Sequence, residues 1–80
     1  MSGPVEIASF EKGRERVRLA LDEYRGHHLV DLRILTQLSE SSGTWCPTKK
    51  GVSLAVRHLP DLARAFTEAA AQARAMGLIG

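Results

Sequence analysis

Residues 16–38, RVRLALDEYRGHHLVDLRILTQL, decide the fold, because they contain two segments in which apolar and polar residues alternate. A period of two is typical of a strand with one buried face. Gly26 lies in the short connection between the segments, so we predict an antiparallel hairpin. The residues expected on its apolar side are Val17, Leu19, Leu21, Val30, Leu32 and Ile34.

The register of this hairpin depends on the length of its loop. A four-residue loop sets Arg18 opposite Asp31, and the same register sets Arg16 opposite Arg33. A two-residue loop changes these partners but moves no side chain to the other face, since the shift is an even number. We therefore predict one apolar side and one basic side for either loop.

The segments on each side of the hairpin extend the sheet. Residues 5–10 form a short strand candidate before a turn at Gly13, and residues 39–43, SESSG, form a polar loop. Residues 44–47 then resume the sheet, followed by a turn at 48–51 and the strand VSL. A five-residue loop places Trp45 beside Gln37 on the basic side, whereas a four-residue loop places it on the apolar side. The sequence leaves both positions open.

From about Val56 the period changes to 3.6, which predicts one amphipathic helix. Pro60 fits only its first turn, and Gly77 is a natural stop. Its apolar stripe consists of Leu59, Leu62, Ala63, Phe66, Ala69, Ala70, Ala73 and Met76. The predicted class is α+β, with a four-stranded antiparallel sheet and a C-terminal helix. We expect residues 1–4 to be a flexible N-terminus, 5–77 the domain, and 78–80 a tail.

Composition favours a soluble globular protein, with 44% hydrophobic and 25% charged residues. The apolar runs are too short to span a bilayer, and the first residues lack a signal-peptide pattern, so we expect a cytoplasmic location. An 80-residue chain makes a thin core, which predicts a partner subunit. The net charge of +2 conceals an uneven distribution: residues 12–57 carry nine Lys/Arg and five Asp/Glu. Such a surplus attracts polyanions.

Catalytic and metal sites are not indicated by the sequence. His27 and His28 are adjacent in a predicted strand, so they point to opposite faces and do not share a metal ion. A nucleophilic Cys46 needs a base nearby, and the sequence does not place His58, at the helix start, beside it. The simplest interpretation of Cys46 is a half-buried strand residue. No phosphate loop or paired-acid motif is present. We expect no enzyme activity, cofactor or metal.

Binding of a nucleic acid strand fits the residues better. Proteins that bind single strands combine cations along the backbone with aromatic planes for bases. The candidate cations are Arg16, Arg18, Arg33, Lys49 and Lys50, and the candidate planes are Tyr24 and Trp45. Structural alternatives stay open at this point: Arg18 and Asp31 as a simple ion pair, and Trp45 as a core residue.

Three stretches together resemble the transcriptional positive cofactor four family, in particular its short bacterial members. They are LDEYRGHHLVDLRI, GTWCPTKKGVSL and LPDLARAF, and the similarity covers roughly residues 5–70. The resemblance implies an intertwined homodimer whose curved β surface binds single-stranded or melted DNA with little sequence preference. It also implies a role in transcription coactivation or in general single-strand binding, and association with the nucleoid in a bacterium.

The resemblance carries over to particular positions. Tyr24 falls where the family has an aromatic for base stacking, and Arg25 where it has a basic residue in the same turn. Arg33 matches the family's strand arginine, while Lys49 and Lys50 match its basic pair. The resemblance further implies turn roles for the glycines at 26 and 51 and an ion-pair role for the aspartate at 31.

Two positions depart from the family pattern. Thr36 stands where better-known relatives have a second aromatic residue, and Cys46 where a basic residue is common. Trp45 is then a candidate for the missing second plane. Two alternatives to single-stranded DNA binding remain: a dimeric adaptor that contacts acidic proteins of the transcription machinery, and an RNA chaperone.

Overall fold

The computed structural model describes residues 3–37 and 43–80, and it shows four strands followed by one helix. The neighbouring strands are all antiparallel and follow the order β1-β2-β3-β4. The predicted α+β fold, an open, curved sheet with a C-terminal helix, is confirmed. The elements are β1 Val5–Lys12, β2 Glu15–Tyr24, β3 His27–Gln37, β4 Trp45–Ala55, a single 3-10 turn Val56–His58 and α1 Leu59–Ala75.

The β2–β3 hairpin closes through a two-residue turn. Arg25 and Gly26 have φ values of 52° and 80°, and positive φ at both central residues is the signature of a type I′ turn. The register expected for a four-residue loop is therefore wrong, and Arg18 lies opposite Arg33 rather than Asp31. The prediction of which residues share a side is confirmed, because the register moved by two positions.

Strand β4 is continuous through the predicted turn, with a bulge in place of that turn. The pairs Leu35–Pro47 and Arg33–Gly51 follow one another in the register, so β4 contains two more residues than β3 between them. Gly51 has a φ of 150°, and a Cβ added there would lie 2.3 Å from the carbonyl oxygen of Leu32. Only glycine allows the two strands to approach so closely.

Helix α1 begins and ends near the predicted residues. Pro60 lies in its first turn, where it removes no intrahelical hydrogen bond. After the last helical residue, Gly77 adopts a φ of 75° and its N–H donates to the carbonyl of Arg74 at 3.0 Å. A left-handed glycine of this kind commonly ends helices.

An apolar cleft of about 550 Å³ separates the sheet from α1. The helix contributes the first part of its apolar stripe to this cleft, including Leu62 and Phe66, but no residue of α1 is buried. The buried apolar residues of the described chain are only Ala20, Val30 and Leu35. The sheet and the helix thus present apolar surfaces that this single chain leaves open.

The remaining sequence expectations fall partly outside the described residues. Residues 1–2 of the expected N-terminus, Leu38, and residues 39–42 of the polar loop belong to that part of the chain.

Candidate nucleic-acid interface

The side of the sheet opposite the apolar cleft is called the polar side. Strand register places alternate residues of β2 and β3 on it, because side chains in a strand alternate between faces. The members used below are Arg16, Arg18, Tyr24, Asp31, Arg33 and Trp45. The sheet therefore brings six groups from three strands onto one surface.

A buried carboxylate lies at the centre of the polar side. Asp31 is 7% exposed, and it accepts two hydrogen bonds from Arg33, from Nε at 3.2 Å and from Nη2 at 2.5 Å. The hydroxyl of Ser53 also donates to Asp31 at 2.5 Å, and Nη2 of Arg18 lies 3.8 Å from the carboxylate. These four residues are called the Asp31 cluster.

The cluster holds Asp31 in its charged form. The hydrogen bond from Arg33 lowers the pKa of Asp31 below its ordinary value, although burial acts in the opposite direction. The Ser53 hydroxyl and the charges of Arg33 and Arg18 lower it further. In turn, the hydrogen bond to Asp31 raises the pKa of Arg33. Asp31, for which the family resemblance implies an ion-pair role, is paired with Arg33 and lies near Arg18.

Arg33 also connects the cluster to the bulge in β4. Its Nη1 donates to the carbonyl of Thr48 at 3.4 Å, while the Thr48 hydroxyl donates to the carbonyl of Ile34 at 2.9 Å. The N–H of Lys50 then donates to the same hydroxyl at 3.1 Å. The backbone that carries Lys49 and Lys50 is thereby fixed, whereas both lysines are exposed.

An aromatic residue and a cation occupy the hairpin end of the polar side. Tyr24 is 60% exposed, and the guanidinium carbon of Arg25 lies 5.2 Å from the centre of its ring. That distance is within the range of a cation–π contact. The turn therefore presents a partly exposed ring together with an exposed positive charge.

A second aromatic residue occupies the opposite end. Trp45 lies opposite Gln37, so it is on the side that carries Arg33, as the five-residue loop predicts. The guanidinium carbon of Arg16 lies 5.7 Å from the centre of its ring. Trp45 is half-buried at this edge and is not part of the apolar cleft.

The two rings are far apart within one chain. Tyr24 pairs with His27 and Trp45 pairs with Gln37, at the two ends of β3. These pairing positions are ten residue steps apart, which corresponds to about 33 Å along β3. The structure thus places the Asp31 cluster between two aromatic groups and does not join the predicted residues in one pocket.

The polar side carries less net positive charge than the β2–β3 hairpin alone suggests. Strand β1 pairs Glu6 with Ala20 and Glu11 with Arg16, which adds two carboxylates to the polar side. Sequence reasoning missed these acids because it assigned no register to β1. The positive charge is concentrated instead on the turn at Arg25 and on the bulge at 49–50.

Sequence reasoning also missed three other polar residues of the interface. Thr48 and Ser53 acquire their roles only through the bulge, which the sequence signals weakly by Gly51. Gln37 becomes a neighbour of Trp45 through the pairing of β3 with β4. In residues 3–37 and 43–80, no three His, Cys, Asp or Glu side chains are grouped as a metal site would require.

Comparisons with known proteins agree on one family. The family model of Transcriptional Coactivator p15 (PC4) matches residues 10–65. A crystal structure of BPSL1147, a PC4 homolog from Burkholderia pseudomallei K96243, is similar with a TM-score of 0.73 and 25% identity over 88% of this chain and 93% of that chain. The tetragonal crystal form of the same protein is similar with a TM-score of 0.71 and 26% identity, over 85% of this chain and 98% of that chain.

A phage protein is similar as well. It is the bacteriophage T5 homolog of the eukaryotic transcription coactivator PC4, with a TM-score of 0.69 and 28% identity over 91% of this chain and 83% of that chain. The comparison with curated proteins gives no match. None of the helices within the described ranges has the length and apolar character required to cross a membrane.

Proposed function

Because this chain belongs to the PC4 family, we propose that it is a homodimer that binds single-stranded DNA with little sequence preference. The family is DNA-binding and non-catalytic, and its members bind single-stranded DNA. The fold that carries this activity is present, with four strands and one helix. Binding alone, without a chemical reaction, is the activity proposed for this chain.

One observation carries the proposal, namely a polar side with an aromatic residue at each end and exposed cations beside it. Tyr24 and Trp45 provide planes on which bases stack, which contributes about 1 to 3 kcal/mol per base. Lys49 and Lys50 are exposed and contact phosphates, and Arg25 does so at the hairpin turn. Stacking and phosphate contacts read no sequence, so the proposed binding is sequence-tolerant.

The three strand arginines have more limited roles. Arg33 directs hydrogen bonds to Asp31 and Thr48, and only its remaining donors are left for a phosphate. Arg18 contributes charge from the same cluster, and Arg16 contributes charge next to Trp45. Because Asp31 offsets part of the charge of Arg33 and Arg18, and Glu11 lies opposite Arg16, their contribution to phosphate binding is smaller than that of the exposed lysines.

The proposed homodimer accounts for the open apolar surfaces. Phe10 on the sheet is 56% exposed and Phe66 on α1 is 64% exposed. The accessible surface of the chain is 6316 Å², whereas a compact protein of this mass exposes about 4,700 Å². Its radius of gyration is 14.9 Å, against about 11.6 Å for a compact domain of this length.

A second copy of the chain fits this excess. A typical stable interface removes about 800 Å² from each partner, and the surplus surface here is larger. Residues 5–77 are the proposed dimer domain, with 1–4 and 78–80 outside it. Sedimentation equilibrium at micromolar concentration is expected to give a dimer, and a stable monomer under those conditions contradicts this part of the proposal.

The cellular process proposed for this chain is based on its relatives. The T5 relative is described as implicated in recombination-dependent DNA replication, and the family is named for transcription coactivation. We extend this range to the present chain, as a protein of transcription regulation or of DNA repair and replication. In a bacterium it acts at the nucleoid.

The double variant Lys49→Ala/Lys50→Ala tests the function. Removal of two phosphate contacts is expected to weaken binding to all single-stranded sequences alike, and to reduce the salt slope by about 0.7 for each lost contact. Fluorescence polarisation of labelled single-stranded DNA, duplex DNA and RNA at several salt concentrations measures both effects.

A matched control removes two cations elsewhere. Arg64→Ala/Arg74→Ala changes the net charge equally on α1, away from the polar side, and is expected to leave the affinity unchanged. Equal affinity of the parent and the lysine variant refutes the proposed phosphate contacts. Preference for RNA over DNA favours the RNA chaperone instead, and absence of all binding at low salt favours the protein adaptor.

A further inference from the structure

A second cleft, of about 500 Å³, opens at the Trp45 end of the sheet. The β1–β2 turn, the end of β3 and the start of β4 enclose it. The residues that matter for its chemistry are Glu11, Arg14, Glu15, Arg16, Gln37 and Trp45. Lys50 of the β4 bulge reaches the rim of this cleft, where its Nζ lies 3.9 Å from Glu15.

The charges in this cleft do not favour a phosphate. Its two carboxylates, on Glu11 and Glu15, balance its two guanidinium groups. The lining residues carry no net charge, and in the described part of the chain Lys12 and Lys50 approach only Glu15, at 3.4 and 3.9 Å. The lining therefore attracts an anion less than the exposed lysine pair of the bulge does. The occupant suited to this cleft is therefore neutral.

The walls of the cleft suit a flat heteroaromatic ring. Trp45 supplies an aromatic plane, and Arg16 lies over its ring at 5.7 Å. Nucleobases stack on aromatic side chains and on guanidinium planes alike. Thr36 also lines the cleft.

The polar groups of the cleft distinguish one base edge from another. Both carboxylate oxygens of Glu15 lie near lysines, at 3.4 Å from Lys12 and 3.9 Å from Lys50. Among the described residues, Glu11 has no ion-pair partner, so its carboxylate is available as an acceptor. Gln37 adds an amide that both donates and accepts. An acceptor-rich edge selects bases that carry an exocyclic amino group.

We propose that the Trp45 cleft is a base-binding subsite that takes an amino-bearing base, such as cytosine, in preference to thymine. This inference rests on the proposed single-stranded DNA binding and adds a local base preference to it. The preference arises at one subsite per chain, while the phosphate contacts remain indifferent to sequence.

The single tryptophan gives a direct measurement at this subsite. The full chain is titrated with oligo(dT) and with an alternating dT/dC oligonucleotide of equal length. Emission of Trp45 and polarisation of the labelled oligonucleotide are recorded together. Both oligonucleotides are expected to quench Trp45, and the dC-containing one to bind about 2- to 12-fold more tightly, the equivalent of one hydrogen bond.

Variants separate this subsite from the rest of the surface. Trp45→Leu is expected to weaken binding by about 5- to 150-fold, which corresponds to one stacked base, and to abolish the preference for dC. Tyr24→Leu removes the other plane and is expected to weaken binding while it keeps the preference and the quenching. If Trp45→Leu does not fold, Trp45→Phe is expected to retain the preference and Glu11→Gln to lose it.

The outcomes distinguish the subsite from the function on which it rests. If polarisation shows DNA bound at saturation while Trp45 emission is unchanged, the subsite is refuted and single-strand binding stands. Equal affinity for both oligonucleotides refutes the base preference. If neither oligonucleotide binds at low salt, the proposed function itself fails.

Discussion

Two acidic residues in this sheet each meet two cations, yet their surroundings differ. Asp31, at the centre of the polar side, is 7% exposed and accepts two hydrogen bonds from Arg33, with Arg18 at 3.8 Å. Glu15, at the rim, keeps 28% of its side chain exposed and lies 3.4 Å from Lys12 and 3.9 Å from Lys50. Both lysine side chains are mostly exposed.

The difference shows which charges stabilise the fold and which are left for a ligand. When one member of a buried ion pair is removed, the charge of the other member is left with little water around it. An exposed pair has water as a ready substitute and contributes little. We therefore assign the Asp31 cluster to the integrity of the sheet, and the rim cations remain available for the proposed contact with DNA.

The largest expected effect is that of Asp31→Ala. This change leaves the guanidinium groups of Arg33 and Arg18 half-buried without their carboxylate, which is expected to lower the free energy of unfolding by about 3 kcal/mol. Urea unfolding at a fixed protein concentration measures the loss, because the stability of a dimer depends on concentration.

The control for this variant is Glu23→Ala, which removes an exposed carboxylate from the same strand pair. It is expected to change stability by no more than about 0.5 kcal/mol. Equal losses for the two variants contradict a special role of the buried cluster.

An intermediate effect is expected from acid. The pKa of Asp31 is lowered in the folded state, chiefly by the hydrogen bond from Arg33, so the unfolded chain binds its proton first as the pH falls. The contribution of Asp31 is thus fully present above the ordinary aspartate pKa of about 3.9, and it is lost as the pH falls through the lower folded pKa.

Urea midpoints at pH 7 and pH 3 measure this dependence. The parent is expected to lose stability over this interval, and Asp31→Asn, which does not titrate there, is expected to lose less. An identical pH dependence in both proteins means that Asp31 does not carry it.

The centre of the polar side was easier to predict from the sequence than the rim. Alternation in 16–38 assigned Arg18 and Asp31 to one side, because parity survives a register error of two residues. It did not identify Arg18 as the residue opposite Arg33, since that register depends on a two-residue turn with Arg25 at positive φ. A positive φ is uncommon for a residue other than glycine.

The rim was harder to predict because it depends on long-range pairing. The pairing of Glu11 with Arg16, and the approach of Lys50 to Glu15, follow from the β1 register and the β4 bulge. Neither leaves a periodic signal in the sequence. The family resemblance pointed to Lys49 and Lys50, whose exposure the structure shows and whose binding to DNA stays a prediction.

The smallest expected effect is that of Glu15→Gln, which removes a carboxylate at the rim as Asp31→Ala removes one at the centre. It is expected to lower stability by less than about 1 kcal/mol, because water replaces the carboxylate around both lysines. The freed Lys50 is expected to steepen the salt dependence of DNA binding by up to about 0.7. Urea unfolding and polarisation titrations on the same variant measure both changes. A stability loss as large as that of Asp31→Ala removes the distinction between centre and rim.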